Sequence, residues 1–236
     1  MTATSWSRRG LLATALLLVS CASHVSRQAE RSLLEAMPRV LGPADRYEAT
    51  VEGASADASH VDKVRVVGVR VQRPGTPVID RFEADLQDVS VDRPHKRVSA
   101  IGAARAVVRV TAADLAAYLA LQTWIARPEV RLSPPDGVTV SGLLRVPGLG
   151  VTPTSPALFR GRLVPSGSRL LIAVDALSLG DRQAPPLLRS LVGTAVNPLV
   201  DLSAYAVPST IDRVSVENEA IRLEASGSRM QVNRPR

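Results

Sequence analysis

The sequence predicts a single α+β domain in which antiparallel strands outnumber helices, and three observations carry that prediction. From Tyr47 onward apolar residues recur with a period of two through most of the chain, as half-buried strands require. Helical spacing appears in only three short stretches, each standing between runs of several strands rather than alternating with single ones. The runs are joined by tight-turn sequences such as Pro134-Pro135-Asp136-Gly137 and Pro165-Ser166-Gly167.

The elements follow in order. Leu33, Leu34, Met37, Val40 and Leu41 predict an amphipathic helix of three or four turns, with Pro38 kinking or ending it and Gly42-Pro43 as its stop. Tyr47, Ala49 and Val51 open the first strand. Val64 and Val66, then Val67, Val69 and Val71, alternate with a change of phase at Val66-Val67, which predicts a bulge or a strand covered on both faces. Between Val78 and Val91, Phe82, Ala84 and Leu86 share one face and Arg81, Glu83, Asp85 and Gln87 the other, with Asp92-Arg93-Pro94-His95 as the turn. Ala104, Ala106, Val108 and Val110 run into Thr111-Ala112-Ala113-Asp114, a capping box with Asp in place of Glu. Leu115, Tyr118, Leu119, Gln122 and Ile125 follow at helical spacing. The second half repeats this order. Val130 and Leu132 precede a return strand from Val138 to Val146, and Leu158–Val164 pairs with Leu170–Leu179. Pro186–Val196 is a helix closed by Asn197-Pro198, and a last hairpin turns at Glu217-Asn218-Glu219.

Ahead of this domain lies an export signal. Arg8 and Arg9 form its basic end and Leu11 to Val19 its uncharged apolar stretch. That stretch is far short of the roughly 20 residues that span a bilayer. Leu18-Val19-Ser20-Cys21 resembles the lipobox of bacterial lipoproteins, which implies cleavage after residue 20 and acylation, of the palmitate kind, on the only cysteine in the chain. Ser7-Arg8-Arg9-Gly10-Leu11-Leu12 resembles the twin-arginine motif, so the general secretory route and export after folding both fit. The expected organisation is a signal peptide over residues 1–20, a lipidated tether over 21–30 and one domain over 31–230. Ala22 stands where an Asp would tend to hold a lipoprotein at the inner membrane, which favours the outer membrane's periplasmic face in a double-membraned organism.

Composition narrows the chemistry. Loss of Arg8 and Arg9 lowers the formal charge from +7 to +5, and no run of like charges suits nucleic acid. Aromatics are 3% of the chain, too few for stacking surfaces. A modest positive surplus fits anionic lipid headgroups. No nucleophile elbow, phosphate loop or metalloprotease motif occurs, so neither catalysis nor a cofactor is expected. His24, His60 and His95 lack metal-ligand spacing. Asp80, Asp85, Asp88 and Asp92 cluster in one stretch, in which Asp80, Asp88 and Asp92 share a parity that reads as the solvated side of a strand, and Gly148-Leu149-Gly150 reads as a turn.

The element order, the block Val107–Leu121, "PPDGVTVSG" from Pro134 to Gly142 and "DRVSVENEAIRLEASG" from Asp212 to Gly227 resemble the LmeA-like phospholipid-binding family of bacterial envelope proteins over about residues 30 to 228. That family is similar to the tubular lipid-binding (TULIP) proteins. The resemblance implies a strongly curved antiparallel sheet wrapped around a long helix, an apolar groove for acyl chains and a phospholipid as partner. The groove is expected at Leu115, Leu119, Ile125, Leu187, Leu188, Leu191 and Val192, with Pro185–Gly193 as a segment suited to a movable gate and unassigned arginines at the mouth. Two Phe and two Trp, one of them Trp6 in the signal, leave few bulky groups to plug a wide interior. Two other readings stand: an assembly lipoprotein with a filled core that docks a protein partner, and an envelope hydrolase.

Overall fold

The computed structural model describes residues 26–231 apart from 56, 58, 93–96, 146–155 and 205–208. The signal, Cys21, His24, His95 and Gly148-Leu149-Gly150 lie outside the described residues. The described chain is an antiparallel α+β domain. Helix α1 (residues 26–40) leads into strands β1 (Arg46–Ala54), β2 (His60–Val71), β3 (Ile79–Asp92) and β4 (Arg97–Thr111). Helix α2 (Ala112–Ala120) precedes β5 (Ile125–Ser133), β6 (Gly137–Leu144), β7 (Pro156–Ser166), β8 (Arg169–Leu179) and β9 (Arg182–Gln183). Helix α3 (Pro186–Val196), β10 (Val200–Asp201), one 3-10 turn (Leu202–Ala204), β11 (Thr210–Glu217) and β12 (Ala220–Gln231) complete it.

Instead of one sheet around one long helix, the strands form two open sheets, with α2 touching strands of both. The first has the order β1-β2-β3-β4-β12-β11; the second has β10-β8-β7-β6-β5, with β9 on β8. They meet at β11, where Ile211 N–H donates to Gly167 O at 2.8 Å and Val216 N–H to Pro135 O at 2.7 Å. The physical reason is the break at α2. Strand β4 runs straight into a capped helix that packs on β5, so the chain starts a new sheet there instead of extending the first. Half of the expected box forms, with the Asp114 carboxylate meeting the Thr111 hydroxyl in place of its backbone N–H. Asp114 N–H donates to Thr111 Oγ1 (3.1 Å), and the Thr111 hydroxyl donates to Asp114 Oδ2 (2.6 Å). Arg70 Nη1, 2.7 Å from Asp114 Oδ1, neutralises this buried carboxylate.

Three sequence expectations shift. Helix α1 begins by residue 26, so residues 26–30, read as the end of the tether, are helical. Ala29 is buried and Glu30 Oε1 accepts from Val51 N–H at 3.3 Å. Buried Ala29, Leu33, Met37 and Leu41 make one stripe at i, i+4, i+8 and i+12, which the polar residues between them conceal. Pro38 sits in the last turn without ending the helix. Gly42 ends it at φ +110°, where a Cβ would run into the carbonyl oxygen of Gln72.

The phase change in β2 falls at Arg70 (φ +55°), not at Val66-Val67. Val64 and Val66 are buried while Val67 and Val69 are half-buried on the other face, until the break returns Val71 to the interior.

A second line of breaks crosses the first sheet. Gly53, Asp62, Asp88, Gly102 and Arg229 are the unpaired positions between registered neighbours on five adjacent strands, and φ is positive at Gly53, Asp88 and Arg229. Across that line the buried series shifts phase, from Val61 to Val64, from Leu86 to Val89 and from Ile101 to Ala104. Such breaks bend a strand and increase its twist. A Cβ at Gly102 would sit 2.7 Å from the Asp88 Cβ, so this crossing needs a glycine.

Candidate functional site

Cross-strand register builds an unusual surface on the first sheet. Ala49, Val66, Ala84, Ala106, Ala225 and Ile211 stand opposite one another across all six strands, one residue from each. Larger groups flank this row, with Phe82, Val108 and Leu223 in register on one side. Small side chains in line leave a trough, because packing a helix against them fills less than native density.

Helix α1 covers the trough. Met37, Val40 and Leu41 close a cavity of about 90 Å³ over Val66, Ala84, Ala106 and Ala225, with Val71, Ile79, Phe82, Leu86, Val98, Ile101, Ala104 and Val108 completing its walls and Leu202 and Ser209 its rim. Among the described residues Ser209 is the only polar one in the lining. The lining runs along β4 from Val98 to Val108, at most about 33 Å of strand at about 3.3 Å per residue. One leaflet of a bilayer, half of its roughly 30 Å hydrocarbon core, is about 15 Å deep. The lined length of strand reaches the scale of an acyl chain, whereas the cavity itself encloses about 90 Å³. It is narrow for one with α1 seated, since pockets for drug-sized ligands begin near about 300 Å³.

The second sheet carries an aromatic pair in its core. Trp124 and Phe159 pack there with ring centroids 6.4 Å apart and planes tilted by 46°. Leu115, Leu119 and Ile125, expected to line a groove, are fully buried core residues on this side. On α3, Val192 is buried and Leu188 packs partly against the core, but Leu187 and Leu191 are 73% and 55% exposed. None of these seven lines the cavity. The structure divides them between filled core and outer surface, and the gate-like segment Pro185–Gly193 lies on β8, with no part in the cavity wall.

Two other hollows carry polar groups. A cleft of about 180 Å³ on the outer face of the first sheet is lined by Arg81, Arg109, Arg222, Glu83 and Glu217 among others. Its arginines are already paired: Arg81 with Glu83 (2.6 Å), Arg109 with Asp80 (2.6 Å) and Arg222 with Glu224 (3.2 Å). The Arg81 hydrogen bond holds the Glu83 carboxyl below the ordinary carboxylate range, with Arg65 adding to it. The cleft is a self-neutralised surface. An open hollow of about 510 Å³ lies beside α3, lined by Val174, Pro186, Arg189, Ser190, Gly193, Thr194 and Asn197. Among the described residues no group of three His, Cys, Asp or Glu is placed to hold a metal ion, and no helix is long and apolar enough to cross a membrane.

The sequence reading missed the cavity because its floor is a row of alanines dispersed along the chain. The available signal was the pair Phe82 and Ala84 with Ala104 and Ala106, one bulky and three small residues on facing sides of one hairpin.

No curated protein and no solved structure matches the chain. The model of the LmeA-like phospholipid-binding family matches residues 22–226, from α1 through most of β12 and including every element that encloses the apolar cavity, and the chain belongs to that family.

Proposed function

We propose that this protein takes acyl chains of envelope phospholipids into the cavity between α1 and the first sheet, as a non-catalytic, lipid-anchored carrier at the membrane surface. The observation that carries the reading is the row of small residues under α1, which makes a long, almost wholly apolar cavity in a domain otherwise packed with Leu, Ile and Val. The finer fold expectation becomes part of the same reading: bent by its line of breaks, the first sheet curves toward α1 and holds the chain against it.

Energetics favour work at a membrane. A methylene group is worth about 0.8 kcal/mol when removed from water, but moving it from a bilayer to an apolar cavity exchanges one apolar surrounding for another. The cost lies in crossing water, and a carrier lowers it by staying beside the bilayer. The N-terminus supplies that proximity. Residue 26, already helical, is five residues after Cys21, so at about 3.4 Å per residue an acylated Cys21 keeps this part of the covering helix within about 17 Å of its anchor. Entry of the chain requires α1 to move outward from its seat, held near its N-terminal end by the Glu30–Val51 hydrogen bond.

The test is the lipid content of the purified protein. Mass spectrometry of organic extracts from the chain starting after Cys21 is expected to recover phospholipid near one equivalent, with uptake of a labelled phospholipid when that lipid is removed. Absence of both would leave an assembly role with a filled core as the better reading.

A further inference from the structure

Helix α3 is attached by a narrow footing. Only Val192 and Val196 are buried, with Leu188 partly so, while Pro186, Leu187, Arg189, Ser190, Leu191, Thr194 and Ala195 face outward. Four large apolar residues are exposed among the described residues, and two of them, Leu187 and Leu191, stand one helical turn apart on this outer face. Helix α3 contains no acidic residue. Its one charge is Arg189, whose Nη1 donates to the Asp175 carbonyl oxygen at 3.2 Å; just before the helix, exposed Asp181 offsets Arg182 on β9. Ser190 and Thr194 lie between the two leucines and the open hollow that Arg189 lines. An apolar ridge with one cation and hydroxyls along its side, and no carboxylate on the helix, complements an anionic bilayer surface: the leucines enter the acyl boundary and the arginine meets phosphate.

We infer that α3 is a second contact with the membrane, in which Leu187 and Leu191 dip into an anionic bilayer and Arg189 pairs with headgroup phosphate. This goes beyond the proposed function and does not depend on it. The contact is also connected to the cavity. Leu202, on its rim, is six residues beyond the end of α3, through buried Val196, Leu199 and Val200. Two leucines bind a bilayer weakly alone, and tethering makes their encounter intramolecular.

The experiment places an environment-sensitive fluorophore on α3. In the chain starting at residue 22, tethered to the vesicles by an N-terminal histidine tag on a nickel-chelating lipid in place of the acyl anchor, a thiol introduced by Leu191→Cys is the only one, and exposed Thr50→Cys on β1 is the control. With vesicles of phosphatidylglycerol and phosphatidylcholine, label at residue 191 is expected to shift to shorter wavelength and to be quenched by lipid-borne quenchers at least threefold more than label at residue 50. Arg189→Glu is expected to reduce that difference to the level seen with phosphatidylcholine alone. Equal quenching at the two positions would overturn the inference, as would protection of residue 191 that rises with protein concentration in the absence of vesicles, the mark of an interface between copies. Lipid retained in the purified protein despite equal quenching would overturn this inference and leave the cavity reading intact.

Discussion

Ala106→Trp is expected to empty the protein of lipid. Ala106 is half-buried at the centre of the small-residue row, facing Ala84 on one side and Ala225 on the other, beneath α1. An indole at this point occupies the trough that an acyl chain would take. Overpacking of a core costs about 1–3 kcal/mol, but here existing space receives most of the added volume, so the loss of stability is expected near the lower end. Lipid recovered by mass spectrometry should fall at least tenfold while thermal unfolding remains cooperative. A matched substitution in the filled half, Leu119→Ala, should cost about 2–5 kcal/mol by opening a cavity and leave the lipid equivalent in the folded fraction unchanged.

Cys21→Ala is expected to remove the acyl mass from the mature chain and move it from the membrane fraction to the soluble fraction after a high-salt wash. One acyl chain gives only marginal binding, with an association constant of about 10⁴ M⁻¹, whereas several chains on one cysteine anchor durably. The wash matters because any contact through Arg189 is electrostatic and is screened at high ionic strength. Acyl mass and membrane retention that survive the substitution would show that Cys21 is not the attachment point.

The sequence made particular parts of this fold legible and hid others for definable reasons. The face shared by Phe82, Ala84 and Leu86 was readable because strand alternation is a local property, and the Thr111–Asp114 cap because its partners are three residues apart. The position of the break in β2 was not. It falls at Arg70, which contacts Asp114 on another element 44 residues away, and no local valine pattern reports that. The cavity was hidden for the same reason on a larger scale: Ala49, Ala84, Ala106 and Ala225 are unremarkable singly, and only cross-strand register puts them in one row. Helical leucines had the opposite effect. Leu115 and Leu119 fit a ligand groove as well as a core by spacing alone; in the structure both are buried, in the domain half where the Trp124 and Phe159 rings pack.

The central claim is that the acyl chain lies between α1 and the first sheet. A phospholipid with a photoreactive diazirine in its acyl chain, cross-linked in the isolated, vesicle-free complex and mapped by peptide mass spectrometry, tests it most directly. Adducts are expected on Met37, Val40, Phe82, Leu86 and Val108, the residues that enclose the cavity. Adducts concentrated on Leu115, Leu119, Leu187 and Leu191 would contradict the account and return the binding site to the helices of the second sheet.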